Sequence, residues 1–349
     1  MLSVNIHKEL DDFTLNVQFE SDGGIMALLG ASGCGKSMTL KCVAGLETPD
    51  RGRIALDDRV LFDSDKHINL PPQKRRVGYL FQQYALFPHM NVRQNLLAGA
   101  RRLPREKQKN AVEEMIRTFR LDGLEELYPR QLSGGQQQRA ALARVIASQP
   151  DCLLLDEPFS ALDSYLRWQT ELELGEMLRR FEGDIVLVTH DRDEVYRMCE
   201  SVCVLCDGKS EEKESVRDLM AVPRTVGAAL ISGCKNFSRV RRIDARHVQC
   251  LNWGVTLETS QEVSGVCTYA GIRSHKLHIA RSGEPNRFDA HVVRVIEDTN
   301  STILMLAPEG GNALLRMELP REEWASMRNP DMILLGVSPE HVMTLSGEL

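Results

Sequence analysis

Three short runs of the chain are apolar at every position: Ile25-Met-Ala-Leu-Leu29, Cys152-Leu-Leu-Leu155 and Ile185-Val-Leu-Val188. A strand that is hydrophobic on both faces has to be covered on both faces. These runs therefore predict core strands of a mainly parallel sheet. Helical stretches between them are predicted at Lys36–Ala44, Arg105–Phe119, Gln136–Ser148 and Ser164–Phe181, the last with Leu174, Leu178 and Phe181 spaced four and then three apart. This alternation predicts one α/β domain over residues 1–235. The pattern changes after Pro223. Short strand candidates follow at His247–Thr259, Val266–Ala280, Phe288–Ala307, Ala313–Leu319 and Met332–Leu345, which predicts a small β-barrel over residues 236–349. Within it, Ala270–Leu277 and Leu335–Val342 echo one another at Gly271/Gly336, Ile272/Val337 and Leu277/Val342, a hint of two related β lobes.

Composition narrows the class. The 349 residues are 42% hydrophobic and 26% charged, ordinary for a globular protein with a real core. The formal net charge of −6 argues against a general nucleic-acid coat protein. No run of about 18 apolar residues predicts a membrane span, and the N-terminus lacks the basic-then-apolar layout of a secretory signal. The nine cysteines are scattered without a framework, as reduced thiols would be. Cys199, Cys203 and Cys206 cluster in sequence, but the stretch 201–206 is apolar and no second pair stands at zinc-ligand spacing. Buried strand cysteines are the expectation.

The chemistry starts at Gly30-Ala-Ser-Gly-Cys-Gly-Lys-Ser37, a complete P-loop pattern between a strand and a helix. The residues Gly30, Ala31, Ser32, Gly33, Cys34 and Gly35 let the backbone wrap closely around phosphates. The following helix turns its positive end to the same anion. Lys36 is expected to reach the β- and γ-phosphates and the Ser37 hydroxyl to ligate Mg²⁺. A chance Gly/Ser turn would lack the strand before and the helix after. The second piece is Leu153-Leu-Leu-Asp-Glu-Pro158, where a strand driven into the sheet leaves two carboxylates at its C-terminal end. Asp156 is placed to hold Mg²⁺ and Glu157 to polarise an attacking water.

The third piece is Leu132-Ser-Gly-Gly-Gln136, followed by Gln137-Gln-Arg139 and an alanine-rich helix. It resembles the signature of ATP-binding-cassette (ABC) ATPases. Gln82 in Tyr79-Leu-Phe-Gln82 resembles the Q-loop glutamine, Ser160-Ala-Leu-Asp163 the D-loop, and His190 in Val188-Thr-His-Asp191 the switch histidine. The resemblance covers residues 1 to about 235. It implies a P-loop ABC ATPase domain with a helical signature subdomain, using ATP and Mg²⁺. Two copies would pack head to tail, each nucleotide lying between one P-loop and the partner's Ser133, Gly134, Gly135 and Gln136. The resemblance further implies Gln82 as a sensor of metal and water, Glu157 as the base, and His190 as a hydrogen-bond partner of the γ-phosphate. For adenine, Phe13 and His7 both stand ahead of the P-loop and the contact stays open between them. Cys34 is either a thiol-sensitive point of the loop or inert.

A single cassette without a membrane span resembles the separate ATPase subunit of a bacterial importer. Such a subunit works peripherally at the cytoplasmic face of the membrane with permease partners and, indirectly, an extracytoplasmic substrate-binding protein. The permease's coupling helix would be received at Gln82–Asn91, with Tyr84, Leu86, Phe87 and Met90 as apolar contacts. The alternative is that these residues pack inside the helical subdomain. A β-rich tail fits an OB-like domain of importers for oxyanions, sugars or polyamines. The stretch from Arg51 to Gln82 looks most like molybdate-importer ATPases, although much of it is shared with sulfate, iron, sugar and polyamine importers. The tail matches the oxyanion-binding barrel poorly, so no ligand residues are assigned there. A soluble nucleic-acid or ribosome clamp would carry paired cassettes or a long coiled-coil insertion. An inactive regulatory cassette would not keep Lys36, Glu157 and His190. From these roles, Glu157→Gln is expected to keep ATP binding and lose nearly all turnover; wild-type turnover in the purified variant removes Glu157 as the base.

Overall fold

A computed structural model describes residues 1–10, 13–160, 164–281, 283–327 and 330–348. Contacts divide the chain into Met1–Val216 and Arg217–Leu349. The first unit opens with β1 (Leu2–Glu9), β2 (Thr14–Ser21), β3 (Ile25–Leu29) and α1 (Lys36–Ala44). Next come β4 (Arg51–Leu56), β5 (Arg59–Asp63), β6 (Ile68–Asn69), α2 (Pro72–Arg75) and β7 (Val77–Leu80). A helical stretch follows, with α3 (Val92–Gly99), α4 (Arg105–Thr118) and α5 (Gly134–Ile146). The unit then returns to the sheet through β8 (Cys152–Asp156), α6 (Ser164–Leu178), β9 (Asp184–Thr189), α7 (Arg192–Met198), β10 (Ser201–Cys206), β11 (Lys209–Ser210) and β12 (Glu214–Ser215).

One sheet carries this unit in the order β6-β5-β4-β1-β2-β11-β10-β3-β9-β8-β7, with β12 beside β10. The strands β10, β3, β9, β8 and β7 pair parallel. Their apolar runs are explained by two cores on opposite faces. In β8, Leu153 and Leu155 enter the core built with α3–α6, whereas Cys152 and Leu154 enter the core built with α1 and the first strands. Likewise in β9, Ile185 and Leu187 face one core and Val186 and Val188 the other. The sheet is less uniformly parallel than expected. Its flank β5-β4-β1-β2 is antiparallel, and β2 alternates exposed and buried along its length, as a strand with one solvated face does.

Arg75 fixes the far end of α1. Fully buried, it donates to the carbonyls of Cys42 (2.7 Å), Val43 (2.8 Å) and Leu70 (2.7 Å), and to Asn69 Oδ1 (2.8 Å). Two of these acceptors are carbonyls at the helix C-terminus that lack the regular helical donor, although Cys42 O also accepts the Gly45 N–H at 3.2 Å. The approach needs Gly45, which closes α1 at φ 78; a Cβ there would stand 2.5 Å from Arg75 Nε.

The second unit contains α8 (Val216–Ala221, straddling the division), α9 (Val226–Ile231), β13 (Asn236–Arg242), β14 (His247–Cys250), β15 (Val255–Glu258), β16 (Tyr269–Ile272) and β17 (Leu277–Ile279). It closes with β18 (Arg287–Glu297), β19 (Ser301–Pro308), β20 (Leu315–Pro320), α10 (Arg321–Ser326), β21 (Met332–Val337) and β22 (Met343–Leu345). Two five-stranded sheets, β15-β14-β13-β16-β22 and β17-β21-β18-β19-β20, enclose one core around Trp253, Leu304 and Leu335. This is an OB-like all-β arrangement with helices added. The sequence echo is real but interlocked. Tyr269 pairs with Leu345 between β16 and β22, and Leu277 with Val337 between β17 and β21. Each repeat's first strand thus pairs with the other repeat's second strand, which makes one body rather than two lobes.

The division falls earlier than the expected one at 235/236. The reason is packing. Val226 and Ala229 of α9 share a small core with Met343 and Leu345, and Arg273 donates to the Met220 carbonyl at 2.8 Å. The helix α9 and the end of α8 thus find partners further along the chain. For the first unit, Arg75→Met is expected to lower unfolding free energy by more than about 2 kcal/mol, since each buried acceptor left bare costs roughly 1–3 kcal/mol. A urea midpoint unchanged from the parent would contradict this role.

Candidate active site

Four neighbouring strands bring the predicted residues together. In the order β3-β9-β8-β7 all run parallel, so all four end at the same edge of the sheet. The loop 30–37 leaves β3, His190 follows β9, Glu157 follows β8 whose last residue is Asp156, and Gln82 follows β7. Ligands bind at this edge in open α/β sheets.

The loop from Gly30 to Ser37 is shaped for close backbone approach. Gly35 has φ 102, and a Cβ on it would lie 2.5 Å from Leu15 Cδ1. On Gly30 a Cβ would lie 2.3 Å from the Leu205 carbonyl oxygen. Ala31, Ser32 and Gly33 form the exposed crest. Lys36 is buried, its Nζ donating to the carbonyls of Gly30 (2.7 Å) and Ala31 (2.6 Å), with Cys34 Sγ 3.7 Å away. Cys34 is itself buried, which resolves its two readings toward a shielded thiol. Of the two adenine candidates, Phe13 is the one beside this loop, its ring carbon 3.3 Å from the place a Gly35 Cβ would take. His7 instead stands 3.7 Å from the carboxylate of Glu9.

The carboxylate of Asp156 is buried and accepts two hydrogen bonds, one from Ser37 Oγ and one from Tyr79 OH, both at 2.7 Å. Burial and that bond push the Tyr79 phenol well above its usual pKa, so at neutral pH it is a donor. Glu157 adopts φ 43, a left-handed conformation that costs a non-glycine residue about 1–2 kcal/mol. It is held there by its N–H donating to Val188 O at 3.0 Å and by Ser160 Oγ donating to its carbonyl at 2.9 Å. The result aims the side chain across β9, where Glu157 Oε1 stands 3.2 Å from His190 Nδ1. Thr189, just before His190, donates to Glu194 at 2.6 Å and accepts the Asp191 N–H at 3.0 Å, bracketing the histidine from behind. Burial raises Glu194 to about 7, with nearby Asp191 and Glu171 adding to the rise while the Thr189 bond opposes it.

The signature residues stand at the start of α5. Ser133 is the N-cap: its Oγ accepts the Gln136 N–H at 3.3 Å, and Gln136 Oε1 accepts the Ser133 N–H at 2.9 Å. First-turn N–H groups at Gly134 and Gly135 have no helical acceptor of their own. Among the described residues no hydrogen bond joins this end of α5 to the P-loop. Gln82 is exposed beyond β7. Of the D-loop, Ser160 is described and Ala161, Leu162 and Asp163 lie outside the described residues.

The segment after Gln82 corrects one expectation. Tyr84 is buried, at φ 58, and so belongs to the subdomain core rather than to an outer contact surface. Leu86 packs partly on that core, whereas Phe87 is 41% exposed under the Arg144 guanidinium, 5.0 Å from its ring centroid. Arg144 also donates to Ala85 O at 2.8 Å, and Asn95 Nδ2 to Met90 O at 3.0 Å. Tyr79, Arg144 and Asn95 went unnoticed in the sequence because their partners come from other elements.

A family profile described as ABC transporter matches residues 11–160. The Fe(3+) ions import ATP-binding protein of Haemophilus influenzae is 40% identical over 70% of this chain and 69% of its own length. The spermidine/putrescine import ATP-binding protein of Rubrobacter xylanophilus is 33% identical over 99% of this chain and 93% of its own. The chain belongs to the ABC transporter ATP-binding family. A molybdenum import ATP-binding protein of Paramagnetospirillum magneticum is 37% identical over 223 residues, and the chain spans 61% of that relative's length. Among solved structures, a dimeric ATP-binding cassette in a post-hydrolysis state bound to ADP and Pi has a TM-score of 0.52 at 29% identity, covering 62% of this chain and 99% of that one.

In this ABC cassette the donor set suits a hard cation held largely by phosphate. Ser37 and Asp156 offer oxygen ligands, and no group of three His, Cys, Asp or Glu side chains able to hold a metal gathers among the described residues. The nine cysteines are free; Cys203 is buried in β10 as expected, whereas Cys206 at the end of that strand is only partly buried. Glu194 sets a pH test. Its folded pKa of about 7 lies above the ordinary glutamate value of 4.5, so the folded chain holds the extra proton between those values. The group's contribution is present at low pH and declines as pH rises toward 7. Glu194→Gln is expected to flatten that decline in urea midpoints measured between pH 5 and pH 8; an unaltered slope would show that Glu194 does not titrate in this window.

Proposed function

We propose that this cassette is the ATP-hydrolysing subunit of an ABC importer, working as a head-to-tail pair beneath a membrane permease. The observation that carries the reading is the joint placement of the Asp156–Ser37 pair and the Glu157–His190 pair beside the P-loop. The backbone N–H groups of residues 30–37 and the Lys36 ammonium bind and neutralise phosphate oxygens. Ser37 and Asp156, with Gln82 at the rim, would hold Mg²⁺, which when bound supplies charge neutralisation on those oxygens. Glu157 accepts a proton from the attacking water while its backbone is locked at the strand end. His190, oriented against Glu157, donates to the γ-phosphate.

Ser133, Gly134, Gly135 and Gln136 act on the partner copy's nucleotide. The Ser133 oxygen is engaged as a cap acceptor, which leaves its O–H free to donate, and the helix start adds the two glycine N–H groups. Binding of ATP between the two devices closes the pair, and loss of the γ-phosphate opens it. The exposed Phe87 and the segment around it, braced by Arg144 and Asn95, offer the permease a rigid docking point.

For the cargo, we propose molybdate or tungstate, on the likeness of residues 51–82 and the 37% identical molybdenum relative. A polyamine is the second reading, favoured by the spermidine/putrescine relative that matches 99% of this chain, β-rich unit included. Reconstitution with the co-purifying permease and receptor separates them. Molybdate and tungstate are expected to stimulate ATPase several-fold where sulfate, ferric iron and spermidine do not. Stimulation by spermidine alone would transfer the cargo to the second reading, and no stimulation by any solute would remove the importer role.

A further inference from the structure

An aspartate carboxylate presents two oxygens, and a half-turn about the bond to its Cβ exchanges their positions. In Asp156 each oxygen has its own donor: Ser37 Oγ on Oδ1 and Tyr79 OH on Oδ2. The three side chains come from three elements, α1, β7 and β8, and the β7–β8 pairing sets Tyr79 directly opposite Leu154. Tyr79 is half-buried and its ring lies 4.5 Å from that of Phe81, one residue before Gln82. No other donor to Oδ2 is present among the described residues. A tyrosine kept only for sheet packing would be replaceable by phenylalanine. Here the hydroxyl donates to the acid at 2.7 Å, a bond phenylalanine cannot make.

We infer that Tyr79 is a positioning residue for the metal-ligating carboxylate: its phenol O–H pins Asp156 Oδ2 and thereby presents Oδ1, with Ser37, to the cation. The inference rests on the reading of Asp156 as the carboxylate that serves Mg²⁺. It also ties the strand that leads to Gln82 to the carboxylate of the next strand through one hydrogen bond. Partners of this kind around a metal ligand typically change metal affinity by about 10–100-fold when removed.

The test is Tyr79→Phe in the full chain, with binding of a fluorescent ATP analogue followed as Mg²⁺ is titrated, and again with Mg²⁺ removed by EDTA. The Mg²⁺ midpoint is expected to rise about tenfold, while affinity for the analogue without Mg²⁺ stays within about twofold, which also shows that the variant folds. Phe81→Leu, which removes the ring contact and leaves the hydroxyl, is expected to keep the parental Mg²⁺ midpoint. If the parent responds to Mg²⁺ and Tyr79→Phe follows the same curve, the role of Tyr79 is overturned and that of Asp156 stands. If the parent binds the analogue with no dependence on Mg²⁺, the metal role of Asp156 falls and the inference falls with it.

Discussion

The buried carboxylate of Asp156 is the point at which the cassette's chemistry and its fold become one problem. A charge with so little exposure is costly unless hydrogen-bonded, and its two partners arrive from the helix after the P-loop and from the adjacent strand. That arrangement exists only if β3, β8 and β7 end at the same edge. Parallel pairing enforces this, and the two cores on either face of the sheet enforce the parallel pairing. Arg75 closes the chain of constraints at the other end of α1, holding the helix that presents Ser37.

Around this fixed point the site is built from strain and bracing. Glu157 tolerates a left-handed backbone because Val188 and Ser160 hold it there, and the same twist brings it against His190. The residues on either side of His190 are braced in turn, Thr189 by its bond to Glu194 and Asp191 by its N–H to Thr189. The signature belongs to another part of the unit, the start of α5, where Ser133 is exposed. Among the described residues the signature and the P-loop share no hydrogen bond, as the proposed paired site would require, and a dimeric cassette among the similar structures supplies a precedent.

The central strands were legible because an apolar run with no polar gaps has one stable home, a sheet covered on both sides. The observed β3 matches Ile25–Leu29, and β8 and β9 extend the other two runs by a residue or two. The P-loop, the Asp156–Glu157 pair and the signature were legible because glycine, lysine and paired acids at fixed spacing answer a local chemical demand. What was not legible depends on distant partners. Tyr79 reads as a strand aromatic until Asp156 is placed beside it. Arg75 stands in a basic stretch that looks solvated and is instead fully buried. Tyr84 looked like a surface contact, yet its backbone turns it into the core. The partners of α9 are not legible either, because Val226 and Ala229 meet Met343 and Leu345, more than a hundred residues away.

In the proposed pair, the signature of one copy serves the nucleotide held by the other. A photo-crosslinking group placed at residue 133, in an equal mixture of unlabelled and isotope-labelled chains with hydrolysis blocked, reads this directly. The expected result is ATP-dependent capture of the peptide containing residues 30–37 from the opposite isotope class. Capture confined to the same copy, or capture indifferent to ATP, would contradict it.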